Sequence, residues 1–136
     1  MGVEKIKTIG DAYMAACGVP VPNSKHAIIM VKFAMGMFKD LAEYNKTAKI
    51  KFNIRIGLNS GKVVAGVIGR NKFIYDIWGD TVNVASRMES NCSPGHIKFT
   101  ESVQKCLLEH HISLKCREEM CDVKGKGLMK TFQIPE

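Results

Sequence analysis

Tyr75-Asp76-Ile77-Trp78-Gly79-Asp80-Thr81-Val82-Asn83-Val84-Ala85-Ser86-Arg87-Met88-Glu89-Ser90 is the stretch from which the fold is read. Its pattern predicts a strand ending near Ile77, a tight turn punctuated by Gly79, and a short helix whose far end lies near Glu89 and Ser90. Asp80 has the side chain of an N-cap, a carboxylate able to accept from the first unpaired helical N–H groups. Val82, Ala85 and Met88 recur at intervals of three and predict an apolar stripe for packing. Asn83 and Arg87 stand four apart and so share a face. An amide and a guanidinium beside a helix N-terminus suit a phosphate-bearing ligand, because the helix end favours anions and arginine offers a planar fork of donors. On spacing alone, such a pair on the outer face of a helix is more often simply solvated.

Upstream, Val3 to Ile9 reads as a strand of β-formers with polar residues between them. Gly10-Asp11 is a turn signal, and Ala12 to Cys17 reads as the returning strand. The breaker-rich loop Gly18 to Asn23 precedes a long helix from about Ser24 to about Asn45. Ala27, Val31, Ala34, Phe38 and Leu41 form its stripe, widened by Ile28, Met35 and Met37. Phe52 to Leu58 and Lys62 to Ile68 read as strands joined by the turn Asn59-Ser60-Gly61, followed by the basic loop Gly69 to Lys72 and a short strand from Phe73 to Ile77.

Downstream of the opening stretch, Ile97 to Phe99 reads as a short strand and Thr100 as the cap of a helix that runs to about His110. His110-His111 is predicted as a polar helix end. Ile112 to Cys116 and Met129 to Ile134 read as strands, with the glycine-rich basic loop Lys124 to Gly127 between them. Hairpins mixed with helices give an α+β class, helices packed on an antiparallel or mixed sheet.

At 136 residues the chain is one small domain, long enough for a single core. With 46% hydrophobic and 24% charged residues it has an ordinary globular composition, not that of a disordered chain. No apolar run approaches the ~20 residues that span a bilayer. The start, Met1 to Ile6, lacks the charged-then-apolar order of a signal peptide, and Ile6 stands where a myristoylation signal has Ser or Thr. The net charge of +7 invites a nucleic-acid reading, yet the lysines are scattered from Lys5 to Lys130 and a phosphate-rich small ligand accounts for them equally well. Five cysteines with no CxxC pair predict free thiols in a reducing compartment rather than a disulfide scaffold or a zinc site. The four histidines show no metal-ligand spacing.

Asp76 to Ser90 strongly resembles the signature of the class III nucleotide cyclase catalytic domain. Lys5-Ile6-Lys7-Thr8-Ile9-Gly10-Asp11-Ala12-Tyr13-Met14 looks like that family's metal-carrying hairpin. Arg55 to Gly61 and Val123 to Gly127 are also family-like, and the motifs stand in family order along essentially the whole chain.

The resemblance implies a ferredoxin-like α+β fold, helices packed on a mainly antiparallel sheet, and a head-to-tail homodimer with active sites at the interface. It implies conversion of a nucleoside triphosphate to its 3′,5′-cyclic monophosphate and pyrophosphate, the ribose 3′-oxygen attacking the α-phosphorus with two divalent ions, Mg²⁺ or Mn²⁺, in attendance. Asp11 matches one metal-binding aspartate; without the family it would be a plain Asp in a turn. Lys7 and Asp76 match the pair that reads the purine in adenylyl cyclases, lysine donating to adenine N1 and aspartate accepting from the N6 amine. Without the family, Lys7 would be a surface lysine on a strand. Asn83 looks like the residue that orients the ribose, and Arg87 like the one that stabilises the transition state. Arg55 and Lys124 resemble contacts to the terminal phosphates, although a basic glycine loop is often only a turn. Lys62, Lys72, Lys126 and Lys130 are predicted to be solvated.

The chain departs from the family at its start. The family's domain opens with a strand carrying a first metal aspartate, in a context like Asp-Ile/Val-x-Gly-Phe. None of Asp40, Asp80 or Asp122 has that context. Residues 1–136 therefore read as a single incomplete cyclase domain with its first strand missing. The resulting expectation is a cytoplasmic adenylate cyclase acting on ATP in intracellular signalling, touching a membrane only through domains outside this chain. A guanylate cyclase and a catalytically silent nucleotide-binding or dimerisation module are the alternatives. A nucleic-acid binder, which would lose affinity steeply with salt, is the weakest reading.

Overall fold

The computed structural model describes residues 2–135; Met1, the first residue of the stretch compared with signal peptides, lies outside them. Strands β1 (Val3–Ile9) and β2 (Ala12–Cys17) form an antiparallel hairpin with Ile9 opposite Ala12. Gly10 takes φ 59° at the first turn position, a left-handed value that glycine adopts without Cβ strain. A bulge between Lys5 and Lys7 makes Ile6 the extra residue, and Ile6 is buried.

Helix α1 (His26–Thr47) follows, then β3 (Ile56–Leu58), β4 (Val64–Ile68), β5 (Ile74–Trp78), α2 (Asp80–Ser90), β6 (Ile97–Thr100), α3 (Glu101–Glu109), β7 (Arg117–Val123) and β8 (Gly127–Ile134). The main sheet has the order β3-β6-β8-β7, with β3 and β6 parallel and the other pairs antiparallel. β1-β2 and β4-β5 are separate two-stranded sheets.

Period-two alternation gives the main sheet two faces. Leu58, Ile97, Phe99, Phe132 and Ile134 point to one side, where Ala27, Val31 and Ala34 of α1 and Val103 and Leu107 of α3 close the larger core. The Phe99 and Phe132 rings stack at 5.7 Å. The opposite face carries Cys121 and Val123, covered by Val84 and Met88 of α2. Gly57 sits between two residues of the larger core and turns its missing side chain to this second face. A Cβ there would lie 2.1 Å from the Glu89 nitrogen, so α2 rests directly on the β3 backbone.

β3 is shorter than the expected Phe52–Leu58, and it pairs in parallel with β6 instead of forming a hairpin with the next strand; β4 pairs with β5. Ile112 to Cys116 is not a strand, and the strand that follows is Arg117–Val123. Its Arg-Glu-Glu opening hides it from a propensity reading, but charged residues are common on an edge strand, and β7 is an edge. Ile112 instead closes α3. His111 takes φ 59°, the Ile112 N–H donates to the Leu107 carbonyl and the His111 N–H to that of Leu108, the two bonds of a Schellman cap. The expected histidine helix end is thus present, with a histidine where glycine is usual. In α2 the buried positions are Val84 and Met88, four apart, while Val82 and Ala85 are only half-buried. All five cysteines are free thiols.

Candidate active site

The strand-turn-helix of residues 74–90 forms as expected, with one change at its joint. The N-cap of α2 is Gly79, at φ 127°, and Asp80 is the first helical residue and makes no cap bond. Its carboxylate still faces the positive end of the helix, and it pairs with Lys126 Nζ at 2.6 Å. That ion pair ties the β7–β8 turn to the first turn of α2, and Lys124 stands two residues away in the same turn, exposed. Lys126 and Lys130 are exposed, as expected, and each also makes surface ion pairs: Lys130 lies 3.6 Å from Glu101 and 3.7 Å from Glu118.

A second set of bonds fixes the same helix start to the main sheet. Asn59 Nδ2 donates to the Thr81 carbonyl at 3.0 Å, and Asn59 Oδ1 accepts from the Thr100 and Ser102 hydroxyls at 2.7 and 3.0 Å. The Thr81 hydroxyl donates to the Lys62 carbonyl at 2.6 Å. Thr100 occupies the N-cap position of α3 as expected, but its hydroxyl serves Asn59 rather than the helix. These contacts hold the turn of α2 that presents Asn83, which is exposed, and beyond it Arg87, which is half-buried. Neither side chain has a hydrogen-bond or charge partner among the described residues.

Lys7 and Asp76 come together from 69 positions apart, Lys7 Nζ donating to Asp76 Oδ2 at 2.9 Å. Asp76 is 4% exposed, and its Oδ1 accepts from the Ile77 N–H at 2.8 Å. The Lys7 hydrogen bond holds the Asp76 carboxyl below its ordinary value, against burial, which pushes the other way. Each partner comes from a different two-stranded sheet, β1 and β5, so this pair joins the two hairpins.

Arg55 pairs through Nε with the Glu89 carboxylate in the last turn of α2. That contact occupies one side of the guanidinium and leaves its terminal nitrogens for another anion. Asp11 is exposed at the β1–β2 tip and has no ion-pair partner among the described residues. No cluster of three or more metal-ligating side chains occurs among those residues. A hard oxygen ligand suits Mg²⁺ or Mn²⁺, yet a single carboxylate does not assemble a two-ion site. Asn59 and Thr81 carry no site role in the sequence reading; Asn59 lies in the family-like stretch Arg55 to Gly61, and Thr81 in the first turn of α2.

The sequence model of the adenylate and guanylate cyclase catalytic domain matches residues 1–136. The chain belongs to that family. It is 43% identical over 133 residues to an adenylate cyclase of Mycobacterium tuberculosis, a match that spans 98% of this chain and 30% of the relative. It is 41% identical over 131 residues to the guanylate cyclase soluble subunit beta-2 of Rattus norvegicus, spanning 96% of this chain and 19% of that one. Among solved structures, the catalytic core of a rhodopsin-guanylyl cyclase with converted specificity, in complex with ATPαS, superposes with a TM-score of 0.82 at 42% identity, covering 97% of this chain and 71% of that one. The α+β arrangement of three helices on mostly antiparallel sheets is thus the class III cyclase fold. The chain spans under a third of the curated relatives and about seven-tenths of that solved core.

Proposed function

We propose that this chain carries most of the catalytic site of an adenylate cyclase, which converts ATP to 3′,5′-cyclic AMP and pyrophosphate. The observation that carries the reading is the Lys7–Asp76 pair at 2.9 Å. Adenine presents an acceptor, N1, beside a donor, the N6 amine. Guanine presents the reverse, a donor N1–H beside the O6 acceptor. A lysine donor next to a carboxylate acceptor complements adenine and opposes guanine, because each wrong base leaves polar groups unpaired. Asn83 orients the ribose, and Arg87 stabilises the charge that develops as the 3′-oxygen attacks the α-phosphorus. Arg55, steadied by Glu89, and Lys124, set beside α2 by the Lys126–Asp80 pair, contact the terminal phosphates.

Divalent ions would neutralise the triphosphate and acidify the attacking hydroxyl, with Asp11 as one ligand and the second carboxylate on a strand outside this chain. Such a strand is supported by the three unconnected sheets and by the free edge of β3. A head-to-tail homodimer is supported by the β4–β5 hairpin, where Val64, Val67 and Phe73 are 67, 61 and 73% exposed. A cytoplasmic setting, where ATP is available, suits this reading; as a separate fact, no helix among the described residues is long and apolar enough to cross a membrane.

The test compares kcat/KM for ATP and GTP in the full-length protein and in a Lys7→Glu/Asp76→Ser variant. Preference for ATP in the parent, relaxed or reversed in the variant, is expected. A parent that makes cyclic GMP faster than cyclic AMP overturns the assignment. The single carboxylate at Asp11 favours a second reading, a nucleotide-binding module that pairs with a complete partner without turning over. Nucleotide binding with no cyclic product from the full-length protein would establish it.

A further inference from the structure

The face of the main sheet beneath α2 holds a group that the reaction does not use. Lys98 is 0% exposed, though it is a lysine on the second strand of the sheet. A buried ammonium needs three acceptors, or a partner of opposite charge at close range. Lys98 has neither in full. Its Nζ lies 3.3 Å from Cys121 Sγ and 3.6 Å from Glu119 Oε1, and the carboxylate is already taken by Arg117 at 2.7 Å.

Lys98 stands on β6 and Cys121 on β7. Their side chains meet over β8, where the Thr131 hydroxyl lies 3.4 Å from the same sulfur. Cys121 is 9% exposed. A nitrogen nucleophile is therefore held in van der Waals contact with a thiol, with a carboxylate 3.6 Å from the nitrogen and 3.7 Å from the sulfur.

We propose that Lys98 and Cys121 form a peroxide-driven modification site, in which a covalent Nζ–Sγ sulfenamide joins β6 to β7 across β8. Hydrogen peroxide first oxidises the Cys121 thiol by two electrons to sulfenic acid, and one water leaves. The Lys98 ammonium gives one proton to Glu119, 3.6 Å away, and the amine lone pair then attacks the sulfur: the N–S bond forms, the S–O bond breaks, and the departing hydroxide takes a second proton from the nitrogen to leave as water, so Nζ keeps one hydrogen. The protein loses two hydrogen atoms in total, and thiols restore both side chains by attack at sulfur. The site works because trapping is intramolecular. A sulfenic acid without such a neighbour proceeds to sulfinic acid, which thiols do not reverse. Cys121 packs with Val84 and Met88, so the bond forms directly under the helix that carries Asn83 and Arg87.

The chemistry is read independently of the cyclase assignment, by peptide mapping of the natural-length protein. The protein is exposed to graded hydrogen peroxide, alkylated, and digested with trypsin without reductant. Modification of Lys98 blocks cleavage there, so the expected product is peptide 88–105 linked to peptide 118–124, lighter than their sum by two hydrogens. Dithiothreitol should abolish it. Lys98→Arg, which keeps the charge but lacks a comparable nucleophile, should lose the link and drive Cys121 to the sulfinic acid instead. The wild-type map alone decides the matter if that variant fails to fold. Cys121 that becomes sulfinic, forms a disulfide, or stays alkylatable in the wild-type protein, with cleavage at Lys98 intact, overturns the proposal.

Discussion

Arg87 and Asp76 show how differently two polar residues can be held. Arg87 is half-buried on α2 with no partner among the described residues, so its charge is free to meet charge that appears during reaction. In the full-length protein Arg87→Ala should lower kcat on the order of 10²-fold or more with KM nearly unchanged, because the interaction is made mainly in the transition state. Steady-state kinetics with ATP checks this; a rise in KM at constant kcat would make Arg87 a binding residue only. Asp76 is committed in the resting fold, bonded to Lys7 and to the Ile77 N–H. Its folded-state pKa is lowered, chiefly by the Lys7 hydrogen bond. A depressed carboxyl contributes stability that is present above the unfolded value, near the ordinary 3.8, and is lost as pH falls below it through the folded value. Thermal melts between neutral pH and about pH 3 should therefore fall less steeply for Asp76→Asn than for the parent, where the ordinary aspartate range is about 4. Parallel curves would show that the pair contributes nothing to acid sensitivity.

At the scale of elements, the position of α2 is decided by what lies under and before it. Gly57 permits helix and strand backbones to touch, with a virtual Cβ 2.1 Å from the Glu89 nitrogen and 2.5 Å from the Ala85 carbonyl oxygen. Both are backbone atoms, which cannot rotate away. Gly57→Ala should thus cost about 1–3 kcal/mol or more, the usual range for forcing a methyl into a filled site. The loss would appear in the denaturant midpoint at unchanged slope. It should also weaken activity, since α2 must lift off β3 to make room. A variant as stable as the parent would mean that α2 is not seated as described. The other end of α2 is held by side chains, Asn59 to Thr81 and Lys126 to Asp80, and these are separable from the packing beneath.

For the whole molecule, the main sheet and the two hairpins share no backbone ladder. What links the hairpins is the Lys7–Asp76 pair, and what links them to the main sheet is packing by α1 and α2. Two-stranded hairpins are marginal by themselves, and the free β3 edge is open to pairing. The 136-residue chain alone should accordingly make little or no cyclic AMP with Mg²⁺ or Mn²⁺ and tend to aggregate. Extending it upstream through a strand with a second carboxylate should recover turnover, and the same extension with that Asp changed to Ala should not. The assay is cyclic AMP formation by the purified chain. Turnover near one per second, inside the ordinary enzyme range of roughly 1–10³ s⁻¹, would show that the metal ligands are other than Asp11 and its upstream counterpart.

Sequence by itself determined what depends on neighbours along the chain. The β1–β2 hairpin, the strand-turn-helix from Ile74 to Ser90 and the long stripe of α1 were legible because turn chemistry and periodicity are local. Asn83 and Arg87 already shared a face by spacing, but Lys7, Asp76, Asp11, Arg55 and Lys124 were legible only through the family's motifs, since nothing in the spacing joins Lys7 to Asp76. Tertiary structure decided the rest. Parallel pairing of β3 with β6 is set by α2 crossing between them, not by the turn at Asn59-Ser60-Gly61. Edge strand β7 is stabilised by its ladder with β8 despite a charged sequence that propensity reads as loop. Asp80 passes the cap position to Gly79 because the turn demands a positive φ there, a value that only a residue without Cβ takes cheaply. Lys98, which the sequence presents as one more scattered charge, is buried because the alternation of β6 points it under α2, the face opposite Phe99.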